Sequence, residues 1–181
     1  TTDLDSFPWP SMDIFESVES LKNKVDAFKG EYALLGRVNL PFKVSWFMRG
    51  LENYLCDMLI DPDFARELTE RNAAYEIEKG IRFVKAGVDI IGIYGDLAMQ
   101  DRMLVNPEAW RAIEKPVMAE MIRRYRAVNP SILIFFHSDG DLSEIMPDLI
   151  EIGINIINPI QPECMDVGEV KKLYGDKITL H

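Results

Sequence analysis

Cysteine is nearly absent from this chain: two in 181 residues, Cys56 and Cys164, far apart and without CxxC spacing. Such a pair gives no disulfide framework, and a reducing, cytoplasmic setting is the default expectation. Long apolar runs are missing too. None approaches the roughly 18 to 20 residues needed to span a bilayer. The N-terminus has no basic flank leading into an apolar core, so no signal peptide is expected. Positive charge is scarce: 20 Lys and Arg against 30 Asp and Glu give a formal net charge of -10. Nucleic acid and anionic membranes need basic surface and are excluded as main partners. A small anion is not excluded, because a local site can differ from the average. No glycine-rich phosphate fingerprint follows any apolar run, which counts against a dinucleotide fold.

What is present is a soluble globular composition, 48% apolar and 28% charged, long enough for a single domain over residues 1–181 with a sizeable core. The stretch that organises it is ILIFFHSDGD, from Ile132 to Asp141. A continuous apolar run rich in Ile and Phe fits a strand buried on both faces, as in a parallel sheet. Similar runs are YALLGRV (32–38), VDIIGIY (88–94), 154–157 and 177–180. Helical periodicity lies between them: 12–28, then 42–59 with its aromatic and Met cluster. A long helix begins at the cap pair Asp61–Pro62 and runs to about Phe83, with Gly80 weakening the pattern and Gly87 closing it. Another runs from Asn106–Pro107 to Val128, with Pro116 expected to break or kink it. Shorter helices fill 142–152 and 166–174. Strand and helix in alternation is the pattern of parallel crossovers. The fold class is therefore α/β. About five strands make most of a (β/α)8 TIM barrel, which typically needs about 250 residues; a small open doubly wound sheet is the alternative. Thr at position 1 and a stop just after an apolar stretch read as cut ends, so N- and C-terminal portions of the barrel are expected to be absent. The exposed edges of such an arc predict poor solubility for the segment alone.

Polar residues at the C-terminal ends of parallel strands share one mouth, where such folds place chemistry. That rule gathers Asp96 and Gln100, His137 and Asp139, Asn158 and Gln161, and His181. His137 and Asp139, two apart in extended chain, leave on one side. They can ligate a divalent metal through imidazole nitrogen and carboxylate oxygen, or act as an acid–base residue with a carboxylate fixing its tautomer. Cys164 is a candidate third ligand, though its Pro-flanked loop equally suits a small buried residue. Asp96 reads as a catalytic base or acceptor, or as a helix cap. Arg49, just before Gly50, reads as an anion clamp, or as part of the surrounding aromatic core.

Three segments then carry a resemblance: FMRGLENYLCDMLIDPDFARELTE, GVDIIGIYGDLAMQDRMLVNPEAWR and FFHSDGDLSEIMPDLIEIGINIINPIQPECMDVGEVKKLYGDKITLH. From about Trp9 to His181 the chain resembles the uroporphyrinogen decarboxylase (URO-D) superfamily. That resemblance implies a distorted (β/α)8 barrel of roughly twice this length. It also implies one of two chemistries: haem-pathway decarboxylation, or methyl transfer between corrinoid proteins and coenzyme M or folate-type acceptors. True decarboxylases carry an Arg-rich N-terminal segment, which this chain lacks. They have an FDSWAG-like turn where this sequence reads YGDLAMQ, and a QGNLDP-like turn after the last strand. The methyltransferase branch is similar through its zinc motif His-x-Cys-Gly, which matches His137, Ser138, Asp139, Gly140 with Asp in place of Cys; the family's later Cys ligand would fall beyond His181. The resemblance thus implies a methyltransferase acting on a small methylated substrate, with a corrinoid partner protein and zinc, and leaves a homodimer open. Uroporphyrinogen III decarboxylation, a metal-free lyase reaction of porphyrin biosynthesis, is the alternative, and an inactive binding barrel is the non-enzymatic one.

Overall fold

A computed structural model of the chain describes residues 3–181. Five strands form one sheet: β1 (Leu35–Asn39), β2 (Ile90–Tyr94), β3 (Leu133–His137), β4 (Ile156–Asn158) and β5 (Thr179–Leu180). Every pairing is parallel, and the spatial order is β1-β2-β3-β4-β5. A doubly wound sheet reverses its strand order at a switch point. This sheet never does, so the open alternative is excluded and the strands form an arc of a (β/α)8 barrel wall.

Residues paired across parallel strands lie on the same face. One face carries Val38, Ile93, Phe136 and Ile157, all fully buried. Covering each such side chain contributes about 1.5–3 kcal/mol. The other face carries Leu35, Arg37, Tyr94, Leu133, Phe135, His137 and Asn158, and is partly open: Leu35 and Leu133 are exposed. The helices therefore cover one face, and the second is left for the site.

The helices are α1 (Val18–Phe28), α2 (Pro41–Arg49), α3 (Leu51–Ile60), α4 (Pro62–Ala86), α5 (Pro107–Val128), α6 (Met146–Ile152) and α7 (Val167–Tyr174). Several expected helices are divided or shortened. The 12–28 segment is a 3-10 turn, Met12–Ile14, and then α1, because the Ser17 hydroxyl caps the helix by accepting from Ser20 N–H. The 42–59 segment breaks at Gly50 into α2 and α3. Gly80, expected to weaken its helix, and Pro116, expected to break or kink its own, do not end them. Helix α4 runs through Gly80, where a Cβ would lie 2.3 Å from the Tyr125 ring: the missing side chain lets α5 approach. Helix α5 runs through Pro116 unbroken, leaving the Ala112 carbonyl without its helical donor. Among the described residues no helix is long and apolar enough to cross a membrane.

Between α3, α4 and α5 lies a buried polar knot. Glu114, fully buried, takes Thr69 Oγ1 at 3.3 Å and Tyr54 OH at 3.4 Å on Oε1, while Oε2 has no partner among the described residues. Burial pushes the Glu114 carboxyl from 4.5 up to about 8, against smaller opposing effects of its hydrogen bonds.

Candidate active and metal-binding site

The strand ends do meet. Asp96, in the loop after β2, and His137 and Asp139, at the end of β3, bring one ligand atom each to within 4.8 Å of one another. His137 is half-buried and the two aspartates are exposed. Asp96 is not a helix cap; Asn106 caps α5 by accepting from Ala109 N–H. Instead Asp96 Oδ1 accepts from the Asp139 N–H at 3.1 Å and lies 3.9 Å from His137 Nε2.

The loops that carry these groups are tied together by backbone. Ser138, fully buried, accepts from Leu97 N–H at 2.9 Å and donates to the Asp139 carbonyl at 3.0 Å. Asp141 N–H donates to the Met99 carbonyl at 2.8 Å. Gly140 sits at φ 91°, and a Cβ there would meet Met99 O at 2.4 Å and the Ala98 carbonyl carbon at 2.7 Å. Only glycine permits both that conformation and that approach. Gln161 Oε1 then accepts from Gly140 N–H at 2.6 Å and, at 3.6 Å, from the Cys164 thiol.

Asn158 joins the chain's two histidines. Its Oδ1 lies 2.7 Å from His137 Nδ1 and its Nδ2 lies 2.8 Å from His181 Nδ1. An amide oxygen only accepts and an amide nitrogen only donates. The proton of His137 is therefore on Nδ1, and His181 Nδ1 is bare. In the neutral imidazole Nε2 is then the nitrogen left free to ligate; it faces Asp96 Oδ1 at 3.9 Å, too far for a hydrogen bond. The layer is completed by aromatic packing: His137 stacks on Tyr94 at 5.1 Å, Tyr94 lies 5.7 Å from Phe135, and Phe135 meets His181 edge-on at 5.8 Å.

Two expected site residues, Arg49 and Gln100, stand apart from the cluster, and a third, Cys164, lies beside it without joining the ligand group. The Arg49 guanidinium is held by Asp57, with Nε–Oδ2 at 2.7 Å and Nη2–Oδ1 at 3.3 Å, and lies over Phe64; none of the strand-end residues engages it. Gln100 is exposed and makes no side-chain hydrogen bond among the described residues. Cys164 contributes no atom to the Asp96–His137–Asp139 group. Burial and then the carboxylates of Glu163, Asp141 and Asp139 push its thiol up, away from the thiolate a metal requires. Arg37 and Tyr94 were not anticipated. An arginine inside an otherwise apolar strand was the available signal.

One imidazole nitrogen with a free lone pair and two carboxylates converge, with no side-chain donor among the described residues hydrogen-bonded to either carboxylate. His137 is oriented through its other nitrogen by Asn158, as ligating histidines commonly are. The residues fit a metal that accepts mixed N and O ligands. The set contains no thiolate.

A family model described as Uroporphyrinogen decarboxylase (URO-D) matches residues 8–181. No curated protein matches the chain in sequence. Among solved structures, a methyltransferase from Methanosarcina mazei is similar, with a TM-score of 0.73 and 18% identity over 90% of this chain. The match covers 46% of that protein, so this chain spans about half its length. At that identity the likeness concerns the fold.

Proposed function

This chain belongs to the uroporphyrinogen decarboxylase family, and we propose that within it the protein is of the methyltransferase type. Its reaction would move a methyl group between a small methylated substrate and a corrinoid carried by a partner protein. The observation that carries this reading is the convergence of Asp96, His137 and Asp139 within 4.8 Å. Three acceptor groups at the mouth of a parallel sheet favour a divalent cation, with zinc as the first candidate.

His137 Nε2 and the two carboxylates would hold the metal. Bound there, it would lower a thiol's pKa or polarise the methyl donor's heteroatom. The chain's own residues supply the rest. Asn158 keeps the His137 proton on Nδ1, so that Nε2 alone faces the reacting region. Ser138 and Gly140 hold the Asp139 loop against the Asp96 loop, and Gln161 ties it to the loop after β4. A methyl leaving oxygen, nitrogen or sulfur does so without its bonding pair, and the heteroatom left behind must be stabilised. Where no metal is bound, His137 acting as a general acid is the group placed to do that.

Decarboxylation of a porphyrinogen is the second reading, favoured by an unpaired guanidinium, Arg37, on the open face. Against it, a substrate with several carboxylates would have to approach Asp96 and Asp139 together. Metal analysis by mass spectrometry of the full-length protein and of His137→Ala tests the proposal. Stoichiometric metal, lost on substitution, is expected. A folded protein without metal would redirect the reading to metal-free chemistry.

A further inference from the structure

We infer that Arg37 is the anion-recognising residue of this site, so that the substrate carries a carboxylate in addition to the group that reacts. The inference relies on the reading above only for where the reacting end lies.

Arg37 occupies β1 and pairs in register with Gly92 of β2, which in turn pairs with Phe135 of β3. It therefore lies on the face that carries His137 and Asn158, one layer below them. Its guanidinium carbon lies 4.6 Å above the Tyr94 ring, and that ring stacks on His137 at 5.1 Å. Gly92 makes the arrangement possible: a Cβ there would come within 2.7 Å of Tyr94 Cε2, so the ring can lean across the missing side chain toward β1.

The decisive feature is what Arg37 lacks. Every other arginine of the chain hydrogen-bonds or ion-pairs with a protein oxygen. Arg37 has no such partner among the described residues, in a protein whose acidic groups outnumber its basic ones by 30 to 20. It is also exposed. A guanidinium held by stacking but unpaired keeps its fork of donors available, and a carboxylate matches that fork bidentately. A carboxylate anchored on Arg37 would direct the rest of a small substrate across Tyr94 and Phe135 toward His137. Its charge would be neutralised at one end of the face, away from Asp96 and Asp139.

Ligand-observed NMR titration of the full-length protein with benzoate, and with benzamide as its neutral isostere, tests this without turnover. Benzoate is expected to bind saturably, at least about tenfold tighter than benzamide. Arg37→Gln should abolish the preference, and Arg37→Lys, which keeps the charge and loses the fork, should leave an intermediate one. Circular dichroism confirms that the variants are folded. Equal binding of the two probes, no saturable benzoate binding, or a preference that survives Arg37→Gln would each overturn the inference. Neither result depends on the metal analysis, so the two readings can fail separately.

Discussion

Glu114→Gln should remove the loss of stability that this protein suffers between about pH 4.5 and 8. The carboxyl is fully buried, and its pKa in the fold is about 8 against 4.5 for the free group, with burial the main cause. A raised carboxyl pKa means that the folded state favours the protonated form. The fold is thus unpenalised below about pH 4.5 and loses stability as pH rises from there to about 8, by roughly 1.4 kcal/mol per pH unit. Across the whole window the loss is about 5 kcal/mol. Glutamine has the same shape and keeps an acceptor for Tyr54 and Thr69, but it places an NH2 where Oε2 has no partner. That fixed cost is about 1–2 kcal/mol, whatever the pH. The variant should therefore be less stable than wild type near pH 5, equal to it near pH 6, and more stable by about 2–3 kcal/mol near pH 8. Urea unfolding followed by tryptophan fluorescence, at about one-unit intervals between those limits, reads the crossing directly. Parallel pH profiles for the two proteins would refute the argument and place an ionised Glu114 inside the fold.

Gly140→Ala should leave the protein folded but disable the site, because the added methyl meets backbone of the Asp96 loop and φ of 91° disfavours alanine; metal binding, with circular dichroism as control, checks this. Asn158→Ala should release the tautomers of both histidines. In nitrogen-15 NMR spectra the wild type should show one Nδ1–H imidazole (His137) and one Nε2–H imidazole (His181), and that contrast should fade in the variant.

Much of the site could be read from the chain because parallel strands end in a change of composition. An apolar run gives way to His137, Ser138, Asp139 and Gly140, and the end of such a strand is the mouth by geometry alone. The same rule reached Asp96, Asn158, Gln161 and His181. It does not reach Arg37, which lies in the middle of β1 rather than at a strand end. Arg49 was legible as a cation near the sheet but not as the partner of Asp57, since a pairing eight residues away across the α2–α3 break depends on how those helices fold back. The bridging role of Asn158 needed three strands in register. Glu114, one acidic residue in a charged helix, carried no sign in sequence that it faces inward.

The unreversed strand order bears on how the molecule is made. Each strand after the first docks on one already synthesised, so no strand must wait at the ribosome for a neighbour that follows it. The wall grows by accretion at a single moving edge. In chain order the residues of the Asp96 and His137 cluster precede Asn158, whose amide orients His137. The group that orients His137 is thus supplied by a strand added after the residues it orients.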